Sequence, residues 1–267
     1  MNICKSVLAV SVAAALVALA VQARAGGDKV AFPEGFEKGS LYATVDRYDI
    51  KQFRELYASS GVVEAVRKGQ AIPSGAVLTL VQYRAMADDK GNPVKSPDGR
   101  FIKDALVAYT VMEKRTGWGV EYPSELRNGE WEYQAFTADK MANPKANLTA
   151  CFQCHKPHEK QDFVMSLARL SGTAPGAPVA KRSGPGIVGI AEFLFGPEKI
   201  AVKLGDIITW TNADDSPHQV TVQGQTTLRT PILLKGQSTA VVFNDAGSYD
   251  YVCGLHPNMK GKIEVKR

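Results

Sequence analysis

Residues 171–186, SGTAPGAPVAKRSGPG, divide this chain more firmly than any other stretch constrains it. The segment is rich in Pro, Gly and Ala, carries no apolar periodicity, and reads as a partly extended linker. Patterned sequence lies on both sides, and the two sides share neither motif nor period. A length of 267 residues accommodates two ordinary domains, and a hydrophobic content of 45% lets each bury a core. The divisions expected are a leader over 1–25, a first domain over 26–170, the linker, and a second domain over 187–267.

The leader has the features of an export signal. Lys5 precedes the apolar run VLAVSVAAALVALA, and ARA at 23–25 offers small residues for cleavage after Ala25. The run is short for a membrane span, and no later segment is apolar enough to cross a bilayer. The mature chain is therefore expected in a bacterial periplasm. Cys4 lies before the apolar run and leaves with the leader. Removing Lys5 and Arg24 takes the net charge from +5 to 5 − 2 = +3. That balance gives no reason to expect nucleic acid or a membrane surface as partner.

Three cysteines then remain, Cys151, Cys154 and Cys253, with four histidines, His155, His158, His218 and His256. An odd cysteine count in an oxidising compartment points to uses other than disulfides. The second half alternates apolar and polar residues through KIAVKLGDIITWTN, HQVTV, STAVVFNDAGSYDYVC and KGKIEVKR, with Gly, Asn and Asp between the runs. About 80 residues of this kind predict a small β-sandwich. At its end, Cys253, His256 and Met259 follow at three-residue steps. Thiolate, imidazole and a weak thioether select copper in a trigonal site with a long axial sulfur. Such a site needs a second histidine from elsewhere, and TWTNADDSPHQVTV offers His218. Zinc would prefer another thiolate or a carboxylate to methionine.

These segments resemble a cupredoxin of the plastocyanin and amicyanin type, over essentially all of 187–267. The resemblance implies one type 1 copper held by His218, Cys253, His256 and Met259. It also implies that His256 lies near the surface as an electron port, with Leu255 and Pro257 in an apolar patch that meets a periplasmic redox protein.

In the first half, CFQCH at 151–155 is the attachment signature of c-type haem. Two thiols with two residues between them can form thioethers to the two vinyl groups, and His155 can meet the iron. A redox disulfide or half a zinc site would want a βαβ surround or a second cysteine pair, and neither occurs. The sixth ligand stays open. His158 reads as a surface or neighbouring histidine on the proximal side, and Met112, Met141 and Met165 are possible axial partners. The pattern over 46–59 predicts a helix with Tyr48, Phe53, Leu56 and Tyr57 on one face. GAVLTLVQYRAM, FIKDALVAYTVMEKR and EWEYQAF predict strands, and HEKQDFVMSLARL predicts a closing helix. The fold class expected is an α+β antiparallel-sheet haem domain followed by an all-β cupredoxin sandwich.

With IPSGAVLTLV, AYTVMEKR, GEWEYQAF and CFQCHKPHEKQDFV in this order, roughly residues 40–170 resemble the β-sheet family of cytochrome P-460 and cytochrome c′-beta. That family implies a homodimer with one covalent haem, handling nitric oxide, hydroxylamine or similar small nitrogen species. Alignment puts Leu80 where the P-460 branch has a lysine cross-linked to the haem. No lysine occurs between Gly75 and Lys90. The face Ala76, Leu78, Leu80 then implies an apolar distal side suited to a diatomic gas, with Lys103 the remaining possible cross-linker. Three functions follow as expectations: a two-centre electron carrier whose haem binds such a gas, an oxidoreductase that converts hydroxylamine or nitric oxide with the fused cupredoxin as electron acceptor or donor, or a gas sensor or store whose copper only sets the haem redox state. A cupredoxin fused for repeated turnover argues against the last.

Overall fold

A computed structural model describes residues 29–172, 185–224 and 228–267. The expected leader, and 173–184 of the expected linker, lie outside the described residues.

The first half is built on one antiparallel meander. Its strands β1 (Ser40–Arg47), β2 (Gln52–Ala58), β3 (Val77–Ala85), β4 (Lys103–Lys114) and β5 (Trp131–Thr137) pair in sequence order, with helix α1 (Val62–Arg67) between β2 and β3. One face packs Val81, Tyr109, Val111 and Phe136 against Val30, Phe32 and Phe36 from the segment before β1. Edge-on ring contacts, Phe32 to Tyr109 at 5.0 Å among them, close that side. On the other face lie Leu78, Met112 and Tyr133, which pack with Phe152 of α2 (Leu148–His155). The short α3 (Leu167–Leu170) completes this layer.

Two helix expectations fail. Residues 46–59 form the β1–β2 hairpin, with Val45 opposite Arg54 and Arg47 opposite Gln52. Apolar residues at 48, 53, 56 and 57 fit a helical face loosely, but β2 finds a complete ladder on β3, and long-range pairing overrides the local pattern. The stretch after His155 is likewise no continuous helix. A 3₁₀ turn (Lys156–Gln161) stops at Asp162 and Phe163, whose φ values of 51° and 59° reverse the chain. Phe163 drops its ring into the core, 6% exposed, and its carbonyl turns back towards α2.

The second half is a sandwich. Strands β6 (Ile187–Ala191), β7 (Leu194–Gly196), β8 (Lys199–Lys203), β9 (Ile207–Asn212), β10 (Val220–Val222), β11 (Ser238–Val242), β12 (Gly247–Cys253) and β13 (Lys260–Lys266) form two sheets. Their orders are β10-β12-β13-β8 and β11-β9-β6-β7. Trp210, Ile208 and Ile190 from one sheet and Tyr251 and Ile263 from the other fill the interior. The expected strand runs all appear, and β6 and β7 add a hairpin at the start.

The two halves touch. Arg169 pairs with Asp215, Arg100 lies 3.8 Å from Glu192, and Val45 of β1 packs against the sandwich core. Among the described residues no helix is long and apolar enough to cross a membrane.

Candidate functional site

Three donor atoms converge at one end of the sandwich. Cys253 ends β12, His256 sits in the tight loop that follows, and His218 enters from the segment before β10. The Cys253 Sγ lies 3.5 Å from His218 Nδ1 and 3.6 Å from His256 Nδ1, and the two nitrogens are 3.3 Å apart. The loop is short because its ends are tied: the Cys253 amide donates to the Met259 carbonyl at 3.1 Å, and the Met259 amide to the His256 carbonyl at 2.9 Å. Met259 is thereby folded in, 1% exposed, beside the fully buried Cys253 and His218. A triangle of one sulfur and two imidazole nitrogens, with a buried methionine in the same loop, suits copper better than zinc.

The surroundings favour these atoms as ligands. Burial opposes ionisation of Cys253, but the close approach of the His218 and His256 rings and the hydrogen bond from the Gln219 amide outweigh it and bring the thiol down to about 5. His218 Nε2 donates to Asp214 Oδ2 at 3.0 Å, which leaves Nδ1 for a metal. Burial also opposes charge on Asp214, and His218 together with the Phe193 and Glu192 amides holds it below the usual carboxylate range.

The second constellation faces a cavity of about 770 Å³, a size ordinary for cofactor sites. Cys151 and Cys154 stand three residues apart on α2, hence on one helix face, and both are free thiols on the cavity wall. His155 follows, its Nδ1 2.7 Å from the Phe163 carbonyl. That contact makes Nδ1 the protonated nitrogen and Nε2 the one free for iron. Burial takes His155 down to about 4, so the ring is a neutral ligand at neutral pH. Two thiols, one oriented imidazole and a cavity of this volume fit a covalently attached haem.

Opposite α2, the sheet supplies the rows Leu56, Leu80, Thr110 and Leu78, Met112, Tyr133. Leu80 lines the cavity. Among the described residues no lysine lines it, and Lys103 pairs with Glu55 at 2.7 Å. The expectation of a purely apolar face needs correction. Arg47 and Arg54 also line the cavity, and the hydrogen bonds of Arg54 among the described residues go to neutral amide oxygens, Gln52 at 3.0 Å and Gln82 at 3.4 Å. Burial and the neighbouring Arg47 bring Arg54 down to about 9, which still leaves it charged at neutral pH. A helix over 46–59 gives neither arginine a place on a sheet face. Read as strand, Arg54 and Leu56 alternate onto the Leu78–Leu80 face.

The possible sixth ligands separate. Met112 and Met165 line the cavity, while Met141 is 68% exposed on the surface. His158 is no surface residue: it is 2% exposed and lines a neighbouring pocket with Val66 of α1 and Leu167 of α3. The cavity continues to the copper loop, where His256, Leu255 and Phe193 form its far wall. Sequence reasoning had no signal for Phe193.

Comparison with known proteins agrees with both constellations. A family model described as Cytochrome P460 matches residues 33–166, and one described as copper binding proteins, plastocyanin/azurin family, matches residues 187–266. Amicyanin of Paracoccus denitrificans is 35% identical over 103 residues, covering 37% of this chain and 79% of that protein. Amicyanin-alpha of Methylorubrum extorquens is 36% identical over 114 residues, covering 39% and 96% respectively.

Proposed function

Because this chain belongs to the cytochrome P460 family through residues 33–166 and to the plastocyanin/azurin family through 187–266, we propose that it is an exported protein passing electrons between its haem and its copper. Cys151, Cys154 and His155 carry the haem, and His218, Cys253, His256 and Met259 hold the copper. Each centre, when bound, takes up and gives back one electron, so that reduction of one balances oxidation of the other. One observation carries the reading: Cys154 and His155 line the same cavity as His256. Tethering in one chain raises the effective concentration of one domain at the other to about the millimolar range.

The Leu56, Leu78 and Leu80 side of the cavity suits an uncharged diatomic gas such as nitric oxide. A periplasmic partner meets the copper domain at Leu255, which is 41% exposed beside His256. Export rests on Lys5 and the apolar run behind it. A second reading, conversion of hydroxylamine or nitric oxide at the haem, is favoured by Arg47 and Arg54, which offer donors to a polar ligand.

Stopped-flow spectroscopy of the oxidised, fully loaded protein, mixed anaerobically with hydroxylamine and separately with nitric oxide, tests both. A stable haem adduct with nitric oxide and no response to hydroxylamine supports the electron carrier. Haem changes followed by bleaching of the copper band, with product over many turnovers, support the oxidoreductase. If the copper band never follows the haem under any reductant, internal exchange is excluded.

A further inference from the structure

We infer that Phe193, with Arg47 seated on its ring, is the positioning contact that holds the copper ligand His256 against the haem cavity. The inference rests on the internal exchange proposed above and names the residues that make it possible.

Phe193 occupies an unexpected place. Ala191 pairs with Leu194, so Glu192 and Phe193 form a two-residue hairpin loop between β6 and β7, and both have positive φ, 53° and 59°. Such loops ordinarily take Asn-Gly or Asp-Gly, since positive φ crowds a Cβ. A glutamate and a bulky phenylalanine persist there because Asp214 accepts both amides, Glu192 at 2.6 Å and Phe193 at 2.9 Å. The same carboxylate accepts His218 Nε2, so one side chain fixes the loop and a copper ligand together.

The conformation places the ring at the boundary of the two halves. Phe193 is 4% exposed and meets the rings of His218 at 5.3 Å and His256 at 5.0 Å, both edge-on. The Arg47 guanidinium lies 3.7 Å from the centroid of the same ring. Arg47 is itself held by a two-pronged pairing with Asp49, at 2.8 and 2.7 Å. It lines the haem cavity with Cys154. A guanidinium on an aromatic face away from water is a favourable contact, and this one joins a strand of the first domain to a loop of the second. Among the described residues, Phe193 is the ring in contact with both copper-site imidazoles and a side chain of the haem cavity wall. It keeps water out of the gap and keeps the separation short, and electron exchange weakens steeply with separation.

The test uses the full chain carrying both centres, with Phe193→Leu, Phe193→Tyr and Arg47→Gln. Flash reduction of one centre in dilute protein gives the first-order internal rate. Proton spectra of the reduced protein give the ring-current shift of His256, a readout independent of turnover. We expect Phe193→Leu and Arg47→Gln to slow internal exchange at least tenfold, with haem and copper absorption unchanged. We expect Phe193→Leu to abolish the His256 shift and Phe193→Tyr to keep both the shift and the rate. Should Phe193→Leu perturb the copper spectrum, Arg47→Gln, which lies in the other domain, decides. Wild-type rates in both Phe193→Leu and Arg47→Gln overturn the inference. A wild-type protein with no concentration-independent exchange overturns instead the function on which it rests.

Discussion

Asp214 Oδ2 accepts the Nε2 proton of His218 at 3.0 Å, and so decides which nitrogen of that imidazole faces the other donors. The relationship spans four residues of one loop, yet it sets the tautomer on which a three-donor site depends.

The first prediction concerns that pair. In Asp214→Asn the amide no longer presents a charged acceptor to His218, and the ring is free to take either tautomer. Loss of an outer partner of a metal-binding histidine costs about 10–100-fold in affinity. Competition between the protein and a copper chelator should show a fall of that order, and an unchanged constant would remove Asp214 from the account.

Attachment of the haem by α2 alone is the second. With no lysine on the cavity wall among the described residues, and Lys103 paired to Glu55, proteolysis should release all haem on the peptide bearing Cys151 and Cys154. Mass spectrometry of the digest reads this directly. Haem on a peptide containing Lys103 would place that lysine at the haem edge in addition to α2.

Gly261 supports a third. It lies opposite Tyr251 in the β12–β13 ladder, where a Cβ would collide with the tyrosine ring. Tyr251 is 1% exposed and packs 5.7 Å from Trp210, so the ring has little room to yield. Overpacking of this kind costs about 1–3 kcal/mol. Denaturant unfolding of Gly261→Ala, followed by the copper band, should show a loss in that range. No loss would imply that the ring moves freely.

Acid should weaken the first domain through His158. Burial lowers its pKa, and the Asp215 carboxylate acts in the opposite direction without restoring it. The unfolded chain takes up a proton near the ordinary value of about 6.5, while the folded protein refuses it until lower pH. The stability is therefore fully present above about 6.5 and is lost as pH falls below it. Urea midpoints at about pH 7.5 and pH 5.5 should differ less in His158→Gln than in the parent. His155 is common to both proteins, so equal differences would exonerate His158.

Reading the chain as a sequence recovers what is local. Cys151, Cys154 and His155 announce themselves because thioether attachment needs two thiols at fixed spacing beside a histidine. Cys253, His256 and Met259 do so because one tight loop delivers three donors. The alternation in β9, β12 and β13 declares a sandwich for the same reason: one-sided burial leaves a period of two. Tertiary structure alone decided the rest. Tyr48, Phe53, Leu56 and Tyr57 are compatible with either a helix or a hairpin, and the ladder offered by β3 settled the matter. That choice turned Arg47 and Arg54 onto the cavity wall. Phe193 and Asp214 acquire their roles only when the sandwich closes and β1 comes to lie against it. Spacing along a chain carries information about atoms a few residues apart, whereas a contact such as Arg47 on Phe193 spans two domains and exists only once both have folded.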